Sequence, residues 1–97
     1  MFSYIFLGLV SCAARGTYDF LSAEQQYQSR VNQRVISDDP DDLRGVYEWT
    51  LAEQFMKKAW EEYSNGEYEQ SAKFAKLAIE WTELAKQAEE ASMEAQN

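Results

Sequence analysis

Ala52-Glu53-Gln54-Phe55-Met56-Lys57-Lys58-Ala59-Trp60-Glu61-Glu62-Tyr63-Ser64-Asn65-Gly66 decides the fold class. Ala52, Phe55, Met56, Ala59, Trp60 and Tyr63 recur at three- and four-residue intervals, a continuous apolar stripe on one side of a helix that must be buried. Ser64-Asn65-Gly66 then ends the helix, because Asn and Gly tolerate the left-handed conformation found at helix C-termini. A connection this short makes the next helix an antiparallel neighbour. The spacing therefore predicts a hairpin of residues 47–64 and 67–91, with Ala52, Phe55, Ala59 and Tyr63 facing Ala72, Ala75 and Ile79.

The second helix of that hairpin is apolar on two faces. Tyr68, Ser71, Ala72, Ala75, Ala78, Ile79 and Thr82 form a stripe of mostly small residues, which lets another helix approach closely. Phe74, Leu77, Trp81, Leu84 and Ala88 form a bulkier stripe beside it, which needs cover of its own. Its cover is either the rest of the chain or a partner, so Phe74, Leu77, Trp81 and Leu84 are the candidate partner-binding residues, with self-association as one form of that binding. Trp is the residue type most enriched among binding hot spots. Glu53 with Lys57 and Glu69 with Lys73 are expected as i, i+4 ion pairs on the solvated faces.

Upstream of the hairpin, Ser37-Asp38-Asp39-Pro40-Asp41-Asp42 reads as a helix start. Asp39 would cap, Pro40 would take the first helical position and Asp42 would sit in the first turn, where negative charge suits the helix dipole. Calcium is the other use of clustered carboxylates, but the spacing of a calcium loop, with its central Gly and terminal Glu, is missing. Residues 17–35 form a weaker helix, with Phe20, Ala23, Tyr27, Val31 and Val35 as a thin apolar stripe. It can cover part of the two-faced helix or serve as a partly ordered tether. The expected architecture is all-α: an antiparallel helical hairpin with a third, weaker N-terminal helix, together a small three-helix bundle.

Composition narrows the function classes. The chain has 97 residues, a net charge of −8, one cysteine and no histidine. Its acidity is uneven: residues 1–36 hold three arginines against two acids, and residues 37–97 hold six basic against fifteen acidic side chains. Nucleic-acid binding needs a basic stripe that this distribution does not supply. Without histidine the usual zinc constellations and the Cys–His and Ser–His nucleophile pairs are unavailable. The adjacent pairs Glu61-Glu62 and Glu89-Glu90 fall on exposed helix faces, where nothing raises a carboxyl pKa for acid–base work. The expectation is a protein that is not an enzyme, with no catalytic residues, metal, cofactor or small-molecule substrate.

The chain opens with Met1-Phe2-Ser3-Tyr4-Ile5-Phe6-Leu7-Gly8-Leu9-Val10-Ser11-Cys12. The apolar run before Arg15 is about 13 residues, short of the about 20 that span a bilayer. Leu9-Val10-Ser11-Cys12 resembles the lipobox of bacterial lipoproteins, where a peptidase cuts before a cysteine that then receives lipid. Small Ser11 suits the peptidase pocket, Leu9 an apolar one, and only a thiol forms the thioether. The alternative is a short amphipathic helix using Phe2, Ile5, Phe6 and Leu9, with Cys12 a small buried hydrophobe. On the first reading the chain divides into a signal-like segment 1–11, a tether and weak helix 12–39, and a hairpin domain 40–97.

Two further resemblances concern the hairpin. Trp60 to Ala72 is similar to the centre of a tetratricopeptide unit, with Tyr63, Gly66, Tyr68, Ser71 and Ala78 in place of its aromatic, turn and small residues. Only one unit matches, and the repeat's closing proline would fall at Glu83, while a stacked array needs three or more units. Together with Cys12 and the alanine-rich helices, the chain looks like a family of short bacterial envelope lipoproteins. That resemblance implies export, anchoring through lipid on Cys12 and helical packing, with the periplasmic side of the outer membrane as the expected place; a scaffold or protein-interaction role is expected because every residue singled out above has a packing, capping or anchoring use. A soluble cytoplasmic helical adaptor of tetratricopeptide-like type is the alternative.

Overall fold

The computed structural model describes residues 2–34 and 39–96, with side chains for residues 15–34 and 39–91. Three helices make up the fold: α1 (Phe2–Asn32), α2 (Val46–Ser64) and α3 (Tyr68–Gln96). No strand occurs among the described residues. The all-α three-helix architecture thus agrees with the sequence, and α2 and α3 form the hairpin with every end within five residues of the expected one.

α2 stops where its sequence stops it. Gly66 takes a left-handed φ of 80°, its N–H donates to the Tyr63 carbonyl at 3.0 Å, and the Glu67 N–H donates to the Glu62 carbonyl at 2.9 Å. These bonds use carbonyls that a helix end otherwise leaves unpaired. The start of α2 departs from expectation. Asp39, Pro40 and Asp42 belong to a turn and do not begin the helix: the Asp39 carboxylate accepts the Asp41 N–H at 2.9 Å, and the Asp39 carbonyl accepts the Asp42 N–H at 3.1 Å. The Asp42 carboxylate folds forward onto Arg44, accepting its backbone N–H, Nε and Nη2 at 3.1, 2.7 and 2.6 Å. Gly45, at φ 74°, then breaks any helix running through from Pro40. A Cβ at Gly45 would lie 3.0 Å from the Glu89 carboxylate and 3.1 Å from the Ala85 carbonyl, so close packing on α3 also requires glycine there.

Residue pairs along the interfaces set the directions. Tyr63 meets Tyr68 and Tyr47 meets Trp81, so α2 runs antiparallel to α3. Gly16 lies against Tyr68 and Arg30 pairs with Glu83, so α1 runs parallel to α3. The order is up, down, up, with α3 packed along both other helices. The core is built from Phe20, Ala23 and Tyr27 of α1, Ala52, Met56 and Ala59 of α2, and Ala72, Ala75 and Ala78 of α3. Ser71 and Thr82 are also buried, each hydroxyl donating to the carbonyl three residues back on α3, at 2.7 and 2.6 Å. Bonding on its own helix lets α3 keep polar groups in the core without leaving them unpaired.

The segment from Phe20 to Val31 is therefore more than a loose tether, because its apolar stripe is packed into the core; Val35 lies outside the described residues. α1 also runs unbroken across the boundary at Cys12. The expected pairs Glu53–Lys57 and Glu69–Lys73 are not made. Among the described residues the ion pairs within a helix are those of Lys58 with Glu61 at 3.7 Å and Glu62 at 3.1 Å. Exposed pairs at this spacing gain so little that side-chain entropy decides which form.

Ala75 is fully buried where the three helices meet. Ala75→Leu should force the helices apart and cost about 1–3 kcal/mol through overpacking. Thermal or denaturant melting checks it, and an unchanged midpoint would place Ala75 away from the core.

Candidate functional site

The bulky stripe of α3 is divided by its neighbours. Phe74 stacks on Phe55 with ring centroids 6.3 Å apart, and Trp81 meets Tyr47 edge to face at 6.0 Å. Leu77 and Leu84 remain open, at 36% and 45% exposure. Tyr47, 67% exposed, extends the open area onto α2. What covers the stripe differs from expectation. The cover comes from the outer edge of α2, whereas the Phe20 to Val31 stripe of α1 lies on the small-residue side of α3. Small residues explain this choice, since a ring as large as Phe20 is accommodated only where the facing helix offers Ser and Ala. Tyr47, Leu51 and Phe55 recur every four residues, a second stripe on α2 that signals this pairing.

Aromatic side chains gather at the opposite end, beside the α2–α3 turn. The Phe20 ring stacks on Tyr63 at 4.7 Å and receives Trp60 edge-on at 4.8 Å, and Tyr63 in turn meets Tyr68 at 5.3 Å. Trp60, expected as core, is at the rim and 42% exposed. On the helix it falls at the edge of the buried stripe, so it can reach Phe20 while its far edge stays in solvent.

α1 continues past this end. Gly16 is level with Tyr68: a Cβ there would stand 2.9 Å from the Tyr68 Cβ, a clash that only glycine avoids. Because α1 is parallel to α3, residues 2–14 project about 20 Å beyond the start of α3. The backbone at Cys12 lies in this extension, about one turn past Gly16; its side chain is outside the described residues. No helix among the described residues is long and apolar enough to cross a membrane.

Electrostatic ties are concentrated at the far end of the bundle. Arg30 Nη1 donates to Glu83 Oε2 at 2.6 Å, and this hydrogen bond holds the exposed Glu83 carboxyl below its ordinary range. Trp49 Nε1 donates to Glu89 Oε1 at 2.8 Å while the Arg34 guanidinium lies 4.9 Å over the same indole. Burial pushes the Tyr27 hydroxyl up, with Glu53 adding to the shift and Arg34 opposing it. These groups join helices and do not converge on a shared cavity. Among the described residues no group of three acidic, His or Cys side chains is placed to hold a metal ion.

No family model, curated protein or solved structure matches this chain.

Proposed function

We propose that this chain is a non-catalytic, membrane-anchored helical lipoprotein that serves as a scaffold or protein-interaction subunit of the bacterial cell envelope. The observation that carries the reading is that the apolar segment before Cys12 lies on the part of α1 that runs past the start of α3. α1 passes Tyr68 at Gly16, so the backbone at residue 12 lies about one turn beyond the packed part of the hairpin, a position that suits processing there. The interaction role rests on Leu77, Leu84 and the half-covered Trp81 and Phe74, bordered by Tyr47. A contiguous apolar patch of this kind marks interaction sites on folded domains.

The test is the mass of the N-terminal peptide isolated from native cells. The expected product begins at Cys12 and carries acyl groups. An unmodified Met1 terminus would overturn the anchored reading and favour the cytoplasmic adaptor.

A further inference from the structure

We propose that the open face shared by α2 and α3 is closed by a second copy of this chain, packed antiparallel, α3 on α3, across Leu77, Trp81 and Leu84. The proposal rests on the reading of this patch as an interaction site and names its partner; it does not depend on lipid at Cys12. The patch is one surface. Leu77 stands three residues after Phe74 and four before Trp81, and Leu84 three after Trp81, so each adjoins the next on the helix. Ring contacts join Phe74 to Phe55 and Trp81 to Tyr47, which carries the surface onto α2. α1 packs on the small-residue side of α3 and leaves this face open.

Pattern, area and charge favour a second copy as the occupant. Phe74, Leu77, Trp81, Leu84 and Ala88 alternate at spacings of three and four, the seam along which one helix packs on another like itself. The open apolar area of the patch is about 400–500 Å2; interfaces are about 57% apolar, so with a polar rim its footprint is about 800 Å2 per copy, the size of a stable protein interface. Charge sets the direction. Residues 68–79 of α3 hold Lys73 and Lys76 against Glu69, a balance of +1, and residues 80–91 hold Lys86 against Glu80, Glu83, Glu89 and Glu90, a balance of −3. An antiparallel copy sets the basic half of each α3 over the acidic half of the other, whereas a parallel copy sets like on like. Because α1 is parallel to α3, the two Cys12 ends leave such a pair in opposite directions, so an anchored pair lies along the membrane.

The experiment uses the full-length Cys12→Ser chain, in which no lipid at residue 12 contributes to association and introduced thiols are the only ones. Sedimentation equilibrium is expected to give a dimer in the micromolar range. Leu84→Glu, at an exposed position, should weaken it about tenfold or more while helicity is kept, whereas Tyr18→Glu, exposed on α1, should leave it unchanged. Gln70 and Ala91 are exposed and continue the line of Leu77 and Leu84 at intervals of seven residues. Antiparallel packing brings Gln70 of one copy beside Ala91 of the other and holds the two Gln70 positions about 30 Å apart. A short bis-maleimide linker should therefore join chains in a mixture of Gln70→Cys and Ala91→Cys and not in Gln70→Cys alone. A monomer at every concentration, a dimer indifferent to Leu84→Glu, or linking of Gln70→Cys alone would overturn the proposal. A photoreactive side chain in place of Leu84 in native cells separates the proposal from the reading beneath it. Cross-linking to a second copy agrees with both, cross-linking to a different protein overturns the second copy and keeps the interaction site, and no cross-link overturns both.

Discussion

Replacing Phe20 by alanine is expected to cost about 3–5 kcal/mol, a large share of the stability of a domain this size. Phe20 is the largest fully buried side chain among the described residues. Its ring stacks on Tyr63 at 4.7 Å and receives Trp60 at 4.8 Å, so it ties α1 to α2, two helices whose backbones otherwise approach little. Alanine would remove the ring from a junction of three elements that cannot collapse without moving a whole helix, and the cavity would add to the lost burial. Denaturant unfolding measures the loss. The expected early event is release of α1, seen as faster protease cleavage between Asn32 and Val46. A variant with the parent midpoint would show that α1 is not docked through this ring.

On the anchored reading proposed above, Cys12→Ser should abolish acylation and leave the chain uncleaved before residue 12. A serine hydroxyl cannot supply the thioether, and without lipid transfer the cut before residue 12 does not follow. The measurement is incorporation of labelled fatty acid together with apparent size. One acyl chain holds a protein to a membrane only marginally, so the parent is expected to carry several. Equal labelling of Cys12→Ser and the parent would place the lipid elsewhere.

Much of the fold was legible because its signals are local. The stripe from Ala52 to Tyr63 and the stop at Asn65-Gly66 need only neighbouring residues; the stop appears as read, and the stripe does so except at Trp60, which stands at its exposed edge. The start of α2 was misread for a physical reason: Asp39-Pro40 satisfies the rules for a helix start, but the Asp42–Arg44 interaction and the contact of Gly45 with Ala85 are tertiary and outweigh it. The strength of α1 was also hidden. Its stripe is thin in sequence, yet Phe20, Ala23 and Tyr27 suffice because α3 presents small residues to them. Of the candidate site, the open positions Leu77 and Leu84 were legible from helical spacing alone. The aromatic cluster beside the turn was not, since Phe20 meets Trp60 and Tyr63 only once α1 is docked against the hairpin.

The parallel arrangement of α1 and α3 carries the backbone at Cys12 past the turn end of the hairpin, and the anchored reading draws on it. A cysteine pair tests it directly. In a Cys12→Ser background, Gly16→Cys with Tyr68→Cys puts two Cβ atoms close to disulfide range, since the Cβ at position 16 falls 2.9 Å from that at position 68 and relaxes outward by less than 1 Å. Arg30→Cys with Tyr68→Cys separates the thiols by about 20 Å. Mild oxidation followed by electrophoresis without reductant is expected to close an intrachain disulfide in the first pair and not in the second. Closure of the second pair and not the first would reverse α1 and contradict the account.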